Sequence, residues 1–161
     1  MELKTDILIL GSGLAGVLFS LELAEKRPDL LISIISKKNI QNSSSYLAQG
    51  GIAAVLPGSE DQQDDHVKDT MQAGCYTNNL HVVEHFISLS GKAIKMLEKW
   101  GVCFDTDTSG SRDLALEGGH SKKRILHYKD YTGRYIMEIL YERIADYDNI
   151  HLFDEMEGLE L

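Results

Sequence analysis

Asp6-Ile7-Leu8-Ile9-Leu10-Gly11-Ser12-Gly13-Leu14-Ala15-Gly16 is the stretch on which the reading of this chain turns. Ile7 to Leu10 are four consecutive branched apolar residues, too few for a helix and ended by glycine, so they predict a strand buried on both faces. Gly11, Gly13 and Gly16 fill the three slots of a G-x-G-x-x-G turn. The first permits a tight turn, the second lets a pyrophosphate approach the backbone, and the third lets the next helix pack on the strand. The apolar run Val17 to Ala24 then predicts a helix over Leu14 to Lys26, stopped by Pro28. Free amides at the positive end of that helix suit phosphate oxygens. A plain glycine-rich turn is the alternative, but the position between a strand and a helix points to a dinucleotide site.

Leu30 to Ser36 is a second apolar strand, and with the first it completes a β-α-β unit whose right-handed crossover makes the two strands parallel neighbours. At the end of this strand, where NAD sites place an acid on the ribose, the chain has Ser36, Lys37 and Lys38. Either a lysine meets a 2′-phosphate, or Ser36 and Lys37 hold the ribose in another class of dinucleotide protein, or the lysines only solvate a strand end. Next comes Asn42-Ser43-Ser44-Ser45-Tyr46-Leu47-Ala48-Gln49-Gly50-Gly51-Ile52-Ala53-Ala54. Small residues, hydroxyls and glycines can lay backbone against a flat ligand. A solvated serine-glycine linker would not carry the apolar residues Tyr46 to Leu56.

These segments together resemble the flavoprotein family of succinate dehydrogenase, fumarate reductase and L-aspartate oxidase. The resemblance implies FAD as the cofactor, which accounts for the missing acid. It implies that Gly11, Ser12, Gly13, Leu14, Ala15 and Gly16 meet the pyrophosphate and that Lys37 lies by the adenosine half. Ser44, Ser45, Tyr46, Leu47, Ala48, Gln49, Gly50 and Gly51 would run beside the flavin. In the respiratory branch the position matching Ser44 is a histidine bonded to FAD; serine cannot form that bond, so the cofactor is expected to be non-covalent.

Composition sets outer bounds. The 161 residues, 43% hydrophobic and 25% charged, suit one globular domain with a proper core. The formal charge of -9 argues against a nucleic-acid surface or anionic membrane as partner. Ile7 to Leu21 lacks charge but is too short and too glycine-broken to span a bilayer, and Met1 to Thr5 leaves no room for a secretory signal, so the expected location is the cytoplasm. Cys75 and Cys103 form no C-x-x-C pair and are expected in the core. His81 and His85 stand four apart but lack the rest of a zinc pattern, so no metal is expected.

In the middle of the chain, the acidic run Glu60 to Asp65 reads as a solvated loop whose last acids cap a helix near His66, ending at Gly74. Asn79 is the expected cap of a longer helical stretch with Val82, Val83, Phe86 and Ile87 on one face. Ser90-Gly91 is expected to break or bend it before Ala93, Ile94, Leu97 and Trp100 continue the apolar face. Thr132 is the expected cap of a helix with a stripe of Ile136, Ile139, Leu140 and Ile144, and Ile150 to Phe153 reads as a third parallel strand. The tail, Asp154 to Leu161, alternates enough to begin another.

Between these lies Glu117-Gly118-Gly119-His120-Ser121-Lys122-Lys123-Arg124-Ile125-Leu126-His127. Glycines beside a carboxylate, a histidine and a serine, then three basic residues, read equally as a polar site for a small charged substrate or as a basic hairpin tip. The stretch resembles the signature of the L-aspartate oxidase branch, and the respiratory branch is apolar where Glu117 stands. Aspartate adds an ammonium to the carbon being oxidised, and a carboxylate there would offset its charge and orient the Cα–H bond. Glu117 is therefore the expected substrate-orienting residue.

The expected fold is α/β, a Rossmann-like FAD-binding domain with a parallel sheet and a helical insertion, incomplete at its C-terminal end. By the same resemblance the chain is the N-terminal part of such a domain, without the capping and C-terminal helical domains or the catalytic base. The implied reaction of the complete enzyme is hydride transfer from L-aspartate to FAD, giving iminoaspartate, with oxygen or fumarate as acceptor, as the first step toward NAD. A soluble fumarate reductase or succinate dehydrogenase subunit, and a non-catalytic dinucleotide-binding fragment, are the alternatives.

Overall fold

The computed structural model describes residues 4–160. In chain order the elements are β1 (Ile7–Leu10), α1 (Leu14–Lys26), β2 (Ile32–Ile35), a 3-10 turn (Ile40–Asn42), β3 (Ile52–Ala53), α2 (Gln63–Ala73), α3 (Leu80–Lys99), β4 (Leu114–Ala115), β5 (Ile125–Leu126), α4 (Thr132–Ile144) and β6 (Ile150–Phe153). The described residues form two compact units. The first joins the segment up to Gln49 with the segment from Gly133 onward, and the second is Gly50–Thr132.

The first unit holds the parallel sheet, in the order β1-β2-β6. β1 pairs with β2 from Ile7↔Ile32 to Leu10↔Ile35, and β2 pairs with β6 from Ile32↔Ile150 to Ile35↔Phe153. The expected parallel pairing of the first two strands and the third parallel strand are therefore present. α1 has the expected bounds and buries Val17, Ser20, Leu21 and Ala24. β2, the central strand, buries Ile32, Ser33 and Ile34. β1 does not match its expectation of burial on both faces: Leu8 is 46% and Leu10 54% exposed. Leu8 and Leu10 share one face of the strand while Ile9 on the other meets α1 at Gly16, so only one face of its apolar composition is used. α4 buries Ile136, Met137, Leu140 and Ile144, with Met137 rather than Ile139 fully in the stripe. Residues 154–160 form no strand, against the expectation for the tail, whose last residue lies outside the described range.

The second unit is the insertion. It contains α2, α3 and a small antiparallel sheet ordered β3-β5-β4, in which β4 and β5 are the arms of the hairpin carrying Glu117. Asn79 caps α3 as expected, its Oδ1 accepting from Val82 N at 3.3 Å. α3 runs unbroken through Ser90-Gly91. That pair is a docking point instead: Ser90 Oγ accepts from Val55 N at 3.2 Å, and a Cβ at Gly91 would stand 3.2 Å from Val55 O.

Ile87, Ile94, Leu97 and Trp100 are buried, but Val82 and Phe86 are 49% and 69% exposed, so the expected apolar face is sunk only from Ile87 onward. α2 starts at Gln63, earlier than expected, and its cap Gln62 makes no side-chain bond; Asp64 and Asp65 sit in the first turn. Thr132 is the first residue of α4, and its Oγ1 accepts from Tyr128 N at 3.1 Å. Cys75 and Cys103 are exposed, not in the core. No helix among the described residues is long and apolar enough to cross a membrane.

Candidate functional site

The glycine turn takes the form its spacing demands. Gly11 has φ +112°, a conformation that costs an L side chain, and a Cβ at Gly16 would overlap the Gly11 carbonyl oxygen. Gly13 caps α1 without a side-chain bond, and the first turn holds no acidic residue to compete for an anion. The Leu14 amide donates to Ser45 Oγ at 3.1 Å, so the serine segment does reach this helix start and occupies one amide there. The Ala15 and Gly16 amides have no protein acceptor among the described residues. Ser12 is 2% exposed, and its Oγ is buried without a partner among those residues.

An orphaned buried hydroxyl, open amides and the positive end of α1 fit a bound phosphate. Ser45 adds to them, because its oxygen accepts from Leu14 while its own proton stays free to donate outward. The remaining members of the segment divide. Ser44, Leu47, Ala48 and Gln49 are exposed, and Tyr46 donates through its hydroxyl to Glu138 Oε1 at 2.9 Å. Burial first, then the Glu138 carboxylate, pushes that phenol up. Gly51 is packed in the sheet, since a Cβ there would overlap the Leu126 carbonyl oxygen.

At the end of β2, Ser36 donates to Lys38 O at 2.7 Å, so its hydroxyl proton holds the strand end rather than standing free for a ribose. Lys37 is exposed and pairs with Glu157 Oε1 at 2.8 Å. The hydrogen bond and charge of Glu157 raise its pKa.

In the second unit, Glu117 is exposed at the head of the hairpin loop, beside Gly50. A Cβ on Gly50 would stand 3.4 Å from Glu117 Oε1. The three basic residues after the loop do not act together: Lys122 and Lys123 are exposed, whereas the Arg124 side chain is fully buried. Its Nε and Nη2 donate to the two oxygens of Asp61 at 2.8 and 2.7 Å, and its Nη1 donates to Asp69 Oδ2 at 2.6 Å. Asp61, expected in a solvated loop, is 4% exposed for this reason. Sequence reading missed this cluster, because no local spacing tells which carboxylate will meet an arginine 63 residues away. It also missed Tyr141, whose hydroxyl donates to Ser12 O at 2.8 Å from α4. Among the described residues no group of three or more His, Cys, Asp or Glu is placed to hold a metal ion.

Comparison with known proteins agrees with this geometry. The FAD binding domain family model matches residues 6–161. The chain is 38% identical over 161 residues to L-aspartate oxidase of Clostridium perfringens, covering 100% of this chain and 35% of that protein. It is 37% identical over 160 residues to L-aspartate oxidase 2 of Ralstonia nicotianae, covering 99% and 29%. Among solved structures, E. coli quinol fumarate reductase FrdA superposes with a TM-score of 0.86 at 29% identity, covering 95% of this chain and 26% of that one. The chain thus spans about a third of the length of the curated relatives it matches. With the glycine turn, the orphaned Ser12 hydroxyl and the serine segment in place, the chain belongs to the FAD binding domain family and its cofactor is FAD.

Proposed function

We propose that this chain is the FAD-binding part of an L-aspartate oxidase, which oxidises L-aspartate to iminoaspartate at the start of NAD biosynthesis. The observation that carries the reading is the Glu117 carboxylate beside Gly50, at the end of the serine segment. A carboxylate there offsets the ammonium that distinguishes aspartate from succinate and fumarate. The two relatives named L-aspartate oxidase support it, while the fumarate reductase likeness is to the fold these enzymes share.

When bound, FAD supplies the two-electron acceptor that no side chain provides. The chain's own residues hold and orient. The α1 amides with Ser12 and Ser45 would bind the diphosphate, Ser44 to Gly51 would run beside the ring system, and Glu117 would orient the amino group of the substrate. With serine at position 44, the cofactor is held without a covalent bond. The preferred acceptor of the reduced enzyme is oxygen or fumarate, and the site of action is the cytoplasm.

The test uses a full-length enzyme that carries this segment. Glu117→Phe is expected to lower kcat/KM for L-aspartate by at least about tenfold, a loss typical of removing a charged contact, and to spare fumarate reduction under anaerobic conditions. Unchanged aspartate kinetics would end the role given to Glu117. The isolated 161-residue chain is expected to hold flavin weakly, and a stoichiometric flavin spectrum on it would reverse that expectation.

A further inference from the structure

The loop that carries Glu117 is anchored by the ion pairs of Arg124 with Asp61 and Asp69. Asp69 Oδ2 receives Arg124 Nη1 and also the amide and hydroxyl of Ser121, at 2.7 and 2.8 Å. Arg124 Nη1 lies 3.1 Å from His120 Nδ1 as well. A guanidinium offers no lone pair and does not give up its charge, so Nδ1 is the acceptor, and the neutral ring carries its proton on Nε2. Among the described residues Nε2 has no partner, and it is not among the buried unpaired atoms. The buried unpaired ring nitrogen here is Nδ1 of His66, whose ring meets that of His120 edge-on at 5.7 Å. Burial, followed by the nearby charge of Arg124, lowers the pKa of His66, so that ring stays neutral near pH 7 and cannot replace the guanidinium.

Glu117 and His120 are the two ends of one turn. His120 N donates to Glu117 O at 3.2 Å, and Gly119 supplies the left-handed φ of +84° that the turn needs. The ends of such a turn lie within about 7 Å of each other. A carboxylate acceptor and an imidazole donor therefore spring from neighbouring points. Glu117 alone would attract an ammonium while repelling the carboxylates of the same molecule.

We propose that the His120 Nε2–H is a donor to a substrate carboxylate, and that Arg124 is the positioning residue that fixes this tautomer. The inference rests on the reading of Glu117 above: one turn then answers both charges of an α-amino acid.

The experiment follows histidine side-chain nitrogens by NMR in a full-length enzyme that carries this segment, titrated with L-aspartate and separately with succinate. His120 is expected as a single Nε2–H tautomer, and both dicarboxylates should move its Nε2 signal while leaving His81 and His85 in place. His120→Ala should weaken both ligands by about tenfold, and His120→Gln, which keeps a donor, should recover most of the loss. Arg124→Lys keeps the charge but not the planar fork, and should let His120 average over both tautomers. If that variant does not fold, the parent tautomer and the His120→Gln rescue still decide the question. An Nδ1–H tautomer, an unmoved Nε2 signal or full affinity in His120→Ala overturns the inference. Glu117→Gln is the separate control. If it weakens L-aspartate alone while His120→Ala changes nothing, His120 loses its role and the reading of Glu117 stands; if His120→Ala weakens both ligands and Glu117→Gln neither, the reverse holds.

Discussion

Asp69 is the residue at which charge, loop order and pH meet. Burial works to raise its pKa but is outweighed by the hydrogen bonds from Ser121 and Arg124, which hold the carboxyl down at about 2. An ordinary aspartate titrates near 3.9, so the ionised form stabilises the fold fully above about pH 4, and this is lost as pH falls toward 2. The linked stability is roughly 2 kcal/mol. Asp69→Asn is expected to lower urea-unfolding stability at pH 7 by about that amount and to flatten its decline between about pH 4 and 2. An unchanged acid limb would show that Asp69 does not carry it. That Glu117 lies in a loop, by contrast, was legible in the sequence, because its neighbouring glycines mark a turn. Its nearness to Gly50 was not, since the two are far apart in the chain.

Among the elements, α4 ties together the glycine turn and the serine segment of the first unit. Gly133 N donates to Ala48 O at 2.9 Å, Glu138 receives Tyr46, and Tyr141 holds the Ser12 carbonyl. A Cβ at Gly133 would overlap the carbonyl oxygens of Ser45 and Ala48, and backbone cannot swing aside as a flexible side chain would. Gly133→Ala is therefore expected to cost about 1–3 kcal/mol in chemical denaturation, although the same change in an open helix position stabilises. Tyr141→Phe should cost about 1 kcal/mol by the same measurement, because it removes one hydrogen bond and keeps the ring. The helix itself was readable from its apolar period. Its attachments were not, since polar side chains on a helix reveal which face they share but not what lies opposite.

For the molecule as a whole, the uncovered side of β1 is the main liability. Leu8, Leu10 and Phe19 are about half exposed, and β1 has a free edge among the described residues. Such an edge templates association, so the chain is expected to self-associate as concentration rises, and Leu8→Lys should shift light scattering toward monomer. A monomeric parent chain at high concentration would contradict this. The sequence by itself determined the β-α-β unit and its glycine turn, and hence a dinucleotide site, because strand length, helix period and turn stereochemistry act between residues close in the chain. Tertiary structure alone decided that Arg124 lies buried with carboxylates 55 and 63 residues away, and that half of β1 faces outward. Those outcomes depend on which distant surfaces meet, and desolvation together with strand order, neither of which has a local signature, selects among them.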